Sequence, residues 1–376
     1  MSAKIIENFD KPSPAGNEFR SDTFTTPTVS MVSALQHATV GDSVVNEDEA
    51  TNALEAKVAK LAGKERGLFC VSGTLSNQIA IRAHLHQPPY SVLGDFRCHV
   101  FVHEAGGIPT LSQALPISVH PKNDLYMTLE DDILPNYVPD DEDIHCAPTR
   151  LICLENTLHG MLYPIEEIKK ISEWAHANGI AVHLDGARLW DATVASGHSI
   201  EDYAKYFDSV SLCLSKGLGA PIGSVLVGPE KYIKKANHFK KQNGGGIRQS
   251  GILTVMASQA LDDNWSKLAT AHAFAKEVGE FLEGQGVKLH HPVQTNFVFI
   301  DMAENKMDPS VFEAKAKQHN VKVWPGRLAF HYQNTREGVD NLKRALQDTI
   351  DESKKNPYQG PRAKFYSTEK TDLPTN

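Results

Sequence analysis

The 376-residue chain is predicted to be an α/β protein, with a large domain on a mostly parallel sheet and a second, smaller domain after it. Two observations carry this. Short apolar runs alternate with stretches of helical periodicity from residue 67 to residue 228, the pattern of repeated strand–helix–strand units. A long helical stretch, 249–285, then leads to two further short strands, 296–300 and 327–330, each followed by a helix. The expected division is an N-terminal arm at 1–19, a large domain at 20–255, a small domain at 256–354 and a tail at 355–376.

In chain order, the first 18 residues are polar and contain prolines, as an arm would. Thr26-Pro27 predicts a helix start, with Thr26 as N-cap and Pro27 in the first turn, and sets Val32, Leu35 and His37 near the core. Leu54, Val58 and Leu61 share one face of a second helix that stops at Gly63. The strand 67–71 runs into Ser72-Gly73-Thr74 and the helical LSNQIAIRAHL. Free backbone N–H groups and the positive end of a helix dipole face such a bend, which suits an anion, although many such turns bind nothing.

Strands follow at 90–93, 117–120, 150–154 and 180–184, and Ile165, Ile168, Ile171 and Ala175 give the helical face between the last two. Asp185 stands at the C-terminal end of its strand, where parallel sheets bind ligands. A carboxylate after an apolar run is costly unless a cation receives it. Arg188 is the nearest cation in sequence, and a plain ion pair is the ordinary alternative to a functional role.

The strand 207–214 ends at Ser215-Lys216, followed by Gly217, Gly219, Pro221 and Gly223 and then the strand 222–227. So short a link excludes a parallel crossover, so if these two strands pair they pair antiparallel. Lys216 therefore sits on a tight bend at the end of a core strand. Desolvation there frees the neutral amine that attacks a carbonyl; a solvated turn lysine is the alternative. Beyond a basic helix at 229–242, three glycines precede Arg248, which suggests backbone laid close to another surface, or else a flexible loop. Helices at 308–319 and 335–354 pack on the last strands, with Val339, Leu342, Leu346 and Ile350 as the core face of the second. The polar tail is expected to be loose or draped on a partner.

Apolar residues make up 41% of the chain and charged ones 22%, an ordinary globular balance. The net charge of −8 argues against nucleic acid as the main partner, because phosphate binding needs a cationic face. No apolar run approaches the roughly 20 residues that span a bilayer. The first residues lack a basic and then apolar leader, and their acids disfavour a transit peptide. Five unclustered cysteines, Cys70, Cys98, Cys146, Cys153 and Cys213, read as reduced core residues of a cytoplasmic protein. Neither CxxC nor HExxH occurs, and no metal is expected.

A strand-end carboxylate, a strand-end lysine and an upstream anion cradle together suit pyridoxal 5'-phosphate. Its aldehyde needs a lysine, its ring nitrogen an aspartate and its phosphate a backbone nest.

Seven segments carry a resemblance to a known family: RSDTFTTPT (20–28), FCVSGTLSNQ (69–78), HEAGG (103–107), LENTLHG (154–160), LDGARLW (184–190), CLSKGLGAPIGSVLVG (213–228) and GGGIRQSG (244–251). In this order they resemble the low-specificity L-threonine aldolases, the fungal type in particular, from about residue 20 to about residue 351. The resemblance implies the aspartate-aminotransferase-like fold, fold type I of the pyridoxal phosphate enzymes, with a small α+β C-terminal domain. It also implies a homodimer or homotetramer with active sites shared between subunits.

By position, Lys216 matches the lysine that bonds the cofactor, Asp185 the partner of the pyridine nitrogen, and His99 the histidine stacked on the ring. Ser72, Gly73 and Thr74 match the phosphate cup. Ser21, Arg188 and Arg327 match the groups that hold the substrate carboxylate, since arginine forks are bidentate carboxylate clamps. Lys241 and Arg248 match basic residues that reach a neighbouring subunit's phosphate.

Two positions depart from the family pattern. Many members read Tyr-Gly-Glu-Asp where this chain has Val45-Asn46-Glu47-Asp48, and the histidine that often follows the threonine of the ENT loop is displaced to His159. His183, inside a strand, reads as a core histidine; His103 lies nearer the site and can simply line it.

The implied reaction is reversible retro-aldol cleavage of L-threonine or L-allo-threonine to glycine and acetaldehyde, serving glycine biosynthesis and threonine catabolism. The general base is His99 or His159, directly or through water. The rivals are a β-eliminating lyase or serine hydroxymethyltransferase-like enzyme of the same fold, a dehydrogenase, and a non-catalytic binding protein. No GxGxxG follows a strand, against the dehydrogenase, and the intact Lys216, Asp185 and Arg327 set opposes a non-catalytic role.

Overall fold

Seven strands form the central sheet of the computed structural model, which describes residue 9 and residues 11–362. They are β1 (Arg66–Cys70), β2 (Ser91–Asp95), β3 (Leu115–Val119), β4 (Thr149–Glu155), β5 (Ala181–Asp185), β6 (Ser209–Cys213) and β7 (Ser224–Gly228). Their spatial order is β1-β7-β6-β5-β4-β2-β3. Strands β2 to β6 run parallel, and β7 lies antiparallel between β6 and β1. The strands predicted from apolar runs are all present, because β2, β6 and β7 are buried along their whole length and need apolar residues on both faces.

The short β6–β7 link forces the antiparallel pairing. It turns through Gly219 (φ +76°) and Gly223 (φ +114°); a Cβ on Gly223 would lie 2.4 Å from the Phe69 ring. Both positions therefore need glycine.

A second, two-stranded antiparallel sheet joins β8 (Phe297–Phe299) to β9 (Arg327–Ala329), with helices Pro309–Gln318 and Arg336–Lys355 packed around it. The stretch predicted as one helical run at 249–285 is two helices, Gly251–Asn264 and Leu268–Gly284, joined by a 3-10 turn at Trp265–Lys267. Ala257, Ala260, Leu261 and Leu268 pack in the core of the large sheet, and the second core takes over at Ala271.

Other local expectations need correction. The helix predicted to start at Thr26-Pro27 starts at Val29, capped by Thr28, whose hydroxyl accepts from Met31 N–H; Thr26 instead donates its N–H to Gln333. His37 is exposed and Leu35 half-buried, whereas Val32 is in the core. Residues 17–19 do not form a free arm. Phe19 N–H donates to the Lys322 carbonyl, the Phe19 carbonyl accepts from Ala329, and the Phe19 ring is fully enclosed in the second core. The tail also begins docked, with Tyr358 N–H on the Lys306 carbonyl and Arg362 paired to Asp301 at 2.8 Å. Of the predicted arm and tail, residues 1–8, 10 and 363–376 lie outside the described residues. Four cysteines are buried as expected, but Cys146 is exposed. No helix among the described residues is long and apolar enough to cross a membrane.

Candidate active site

Parallel strands bring their C-terminal ends to one edge, and three of them end in carboxylates: Asp95 of β2, Glu155 of β4 and Asp185 of β5. All three are buried. Lys216 stands three residues past β6, beside them, on the glycine-rich bend. Above this edge lies a cavity of about 400 Å³. Six residues predicted from sequence line it: Ser21, His99, His159, Arg188, Lys216 and Arg327. Thr23, Arg97, His103, Glu155 and Trp324 complete the wall.

Asp185 is held from two directions. Its Oδ1 accepts from Ala187 N–H at 3.0 Å and its Oδ2 from Asn77 Nδ2 at 2.8 Å. The sequence points to Arg188 as its cation, yet the carboxylate that receives the Arg188 fork is Asp22. Nε and one terminal nitrogen each donate to it at 2.7 Å. Burial works to raise the Asp22 carboxyl, but Arg188, aided by Lys216 and Arg327, outweighs it and holds the group at about 2. Arg327 donates to the Arg20 carbonyl at 2.7 Å and packs beside the Trp324 and Phe297 rings. Two guanidiniums held this way beside the Ser21 hydroxyl suit a carboxylate ligand.

The two histidines differ in state. His99 Nδ1 lies 2.8 Å from Glu104 Oε1, and its backbone N–H donates to Glu155 Oε2 at 2.8 Å. Burial lowers the affinity of His99 for a proton, but the Glu104 hydrogen bond and Asp185 reverse this and raise it above the ordinary imidazole value. His159 has a backbone φ of +51° and stacks on the Phe299 ring. Its loop is tied to the small domain where Thr295 Oγ1 donates to the Gly160 carbonyl at 2.8 Å. Burial, then Arg97 and His291, push its pKa well below 6.5, so the ring is a neutral imidazole. Its displacement in the ENT loop has not removed it from the cavity.

The predicted anion cradle opens the helix Gly73–His84. Ser72 Oγ accepts from Leu75 N–H as the N-cap, and a Cβ built on Gly73 would meet nothing within 4 Å. The bend thus faces open space at Gly73.

A family model described as beta-eliminating lyase matches residues 18–305. The low-specificity L-threonine aldolase of Candida albicans is 57% identical over 91% of this chain and 92% of its own length. That of Saccharomyces cerevisiae is 53% identical over 96% of this chain and 93% of its own. The chain belongs to the low-specificity L-threonine aldolase family. A solved Leishmania major threonine aldolase superposes with a TM-score of 0.74, covering 89% of this chain and 99% of its own, and at 19% identity bears on the fold alone. The fold is the aspartate-aminotransferase-like one.

In this aldolase-family chain, Lys241 and Arg248 stay away from the Lys216 cavity. Lys241 lines a separate hollow with Ser43 and Val44, and Arg248, largely exposed, pairs with Asp42 at 2.7 Å. Val45 is 57% exposed on the same stretch, and Asn46 takes a left-handed turn there (φ +61°). His183 is buried, as expected of a core histidine. Asp22, Asn77, Glu104 and Glu155 were not singled out from sequence, although each lies inside a quoted motif: RSD, SNQ, HEAGG and LEN. Arg97, in none of the motifs, is anchored on Asp95 at 2.7 and 3.0 Å.

Proposed function

We propose that the chain is a pyridoxal-phosphate-dependent aldolase that reversibly cleaves L-threonine and L-allo-threonine to glycine and acetaldehyde. One observation carries this: Lys216 and the two arginines, Arg188 and Arg327, share a single cavity at the sheet edge where Asp185 ends its strand. The residues fit the cofactor. Lys216 would bond its aldehyde, buried Asp185 would hold the proton on its ring nitrogen, His99 would lie against its ring, and the open bend Ser72–Thr74 would take its phosphate. Bound there, the cofactor supplies an electron sink for the pair left on Cα when the Cα–Cβ bond breaks.

The protein supplies orientation and proton transfer. Arg188, Arg327 and Ser21 hold the substrate carboxylate, which sets the rotation about Cα and thereby selects the bond that breaks. The β-hydroxyl proton passes to a base as the aldehyde forms, and Cα of glycine is then protonated. His159, neutral and in the cavity wall, is the better base; His99, whose proton affinity Glu104 raises, is suited to stacking.

The two histidines give opposite pH profiles. With His159 as base, the acid limb of kcat/KM falls below the ordinary imidazole range, because the base stays neutral at lower pH; with His99 it rises above that range. Replacing His159 with Asn should lower turnover roughly 100-fold or more with the cofactor spectrum unchanged. A wild-type rate in that variant would assign the proton to another group.

The reaction itself is tested by products. The purified enzyme should release acetaldehyde and glycine in equal amounts from L-threonine, with no added keto acid or folate. Formation of 2-oxobutanoate and ammonia would identify an eliminating lyase instead.

We further infer that the enzyme acts in the cytoplasm as a homodimer or homotetramer, with roles in glycine biosynthesis and threonine catabolism. Lys241 and Arg248 of one subunit would reach the phosphate of the next. The exposed apolar residues Val40, Val45 and Ile252, close in sequence to Asp42 and Arg248, support such a contact face.

A further inference from the structure

We propose that Asn77, backed by His183, is a positioning residue that fixes Asp185 and Glu104 relative to one another, and so sets both the group under the cofactor nitrogen and the histidine against the cofactor ring. It rests on Lys216 and Asp185 holding pyridoxal phosphate.

Asn77 lies in the second turn of the helix Gly73–His84, among Ile79, Ala80 and Ile81, and is 1% exposed. A polar side chain costs stability at such a core position unless every group finds a partner. Here each does. Nδ2 donates to Asp185 Oδ2 at 2.8 Å and to Glu104 Oε1 at 2.9 Å, which uses both of its hydrogens. The amide orientation follows, since the opposite flip would set its carbonyl oxygen against two carboxylates. Oδ1 then faces His183 Nε2 at 3.2 Å, so that nitrogen carries the proton. His183 Nδ1 is left bare and accepts from the Ser209 hydroxyl at 2.8 Å, and Ser209 in turn accepts from His84 Nε2 at 2.7 Å. Donation therefore runs one way, from His84 through Ser209 and His183 to Asn77 and the two carboxylates.

Glu104 also accepts from Gln78 Nε2 at 2.5 Å and holds His99 at 2.8 Å. One carboxamide thus joins the Asp185 arm of the site to the His99 arm. The two carboxylates and the imidazole have ligand atoms within 4.8 Å of one another, and Glu155 is in register beside Asp185 on the neighbouring strand. Crowded carboxylates favour protonation of one of them, whereas hydrogen bonds to the charged forms oppose it. Neutral His183 stands behind the amide, and the two Asn77 N–H bonds to the carboxylates are of the kind that favour the charged form, the form that can hold a proton on the cofactor nitrogen.

Three variants test this: Asn77→Asp, His183→Leu and His183→Gln, the last keeping an N–H near the Nε2 position. Pyridoxal 5'-phosphate is titrated into each, and the absorbance of the loaded protein is followed against pH. Asn77→Asp is expected to bind the cofactor about 10- to 100-fold more weakly and to shift the pH profile of its absorbance. His183→Leu should shift it in the same direction, and His183→Gln should restore the wild-type profile. Borohydride trapping at Lys216 in the wild type is the control. A wild type that traps no pyridoxal there would overturn the cofactor assignment and this relay together. A wild type that traps it, with variants that lose thermal stability but bind and titrate unchanged, would overturn the relay alone. Should Asn77→Asp fail to fold, the His183 pair decides: a Gln variant no closer to wild type than the Leu variant would overturn the relay.

Discussion

Arg327→Leu is expected to cut L-threonine cleavage roughly 30- to 4,000-fold while pyridoxal phosphate stays bonded at Lys216. The range is the roughly 2–5 kcal/mol lost when one partner of a buried, hydrogen-bonded charge pair is removed, at tenfold per 1.4 kcal/mol. Arg327 opens β9, is 8% exposed and is held by the Arg20 carbonyl and the Trp324 and Phe297 rings. Leucine fits that apolar bracket, so the fold should survive. Lys216, Asp185 and the Ser72–Thr74 bend are untouched, and the visible spectrum should be that of the wild type. What is lost is the second guanidinium on the substrate carboxylate, and with it the rotation that presents the Cα–Cβ bond. Steady-state kinetics beside the spectrum separate the outcomes. A variant that loses the cofactor would show Arg327 to be structural. One that cleaves at the wild-type rate would leave the carboxylate to Arg188 and Ser21.

Asp22→Ala should be the most destabilising single change at the site, by about 3–5 kcal/mol. Asp22 is fully buried and receives Arg188 through two bonds of 2.7 Å, with Asn296 Nδ2 a third donor at 3.3 Å. Removing it strands a guanidinium in the protein interior and frees Arg188 to leave its place in the cavity. KM for L-threonine should therefore rise along with the loss of stability.

The pH dependence gives an independent check. The folded-state pKa of Asp22, about 2, is lower than the ordinary value of 3.8. Its stabilising contribution is complete above the unfolded-state value and is lost as pH falls through the folded one. The stability gap between wild type and variant, measured by denaturant unfolding, should hold steady above about pH 4 and narrow from there toward pH 2. A gap that does not change with pH would mean that the ion pair is not what Asp22 contributes.

Sequence alone determined the strands, the sheet's dominant direction and the edge at which Asp185 and Lys216 meet. Buried strands need apolar runs bounded by glycine and proline, and such runs are visible one residue at a time. A parallel sheet collects its C-terminal ends at one edge, so Asp185 and Lys216 could be assigned to a common site from their positions in their own strands. The antiparallel turn of β7 followed from link length alone. What depended on distant partners was hidden. Arg188 looked like the partner of Asp185 because they are three positions apart, but the chain path from β5 turns it toward Asp22, 166 positions upstream. Residues 17–19 read as an arm because nothing local shows that Phe19 completes a core formed by the last third of the chain. Asn77 carried no signal of its own among Ile79, Ala80 and Ile81; only the helix packed on the sheet brings its amide to Asp185, Glu104 and His183, residues 27 to 108 positions away. Local composition sets which elements form, because burial acts on each residue separately. Hydrogen-bond partners across the site depend on how those elements pack, which only the tertiary structure decides.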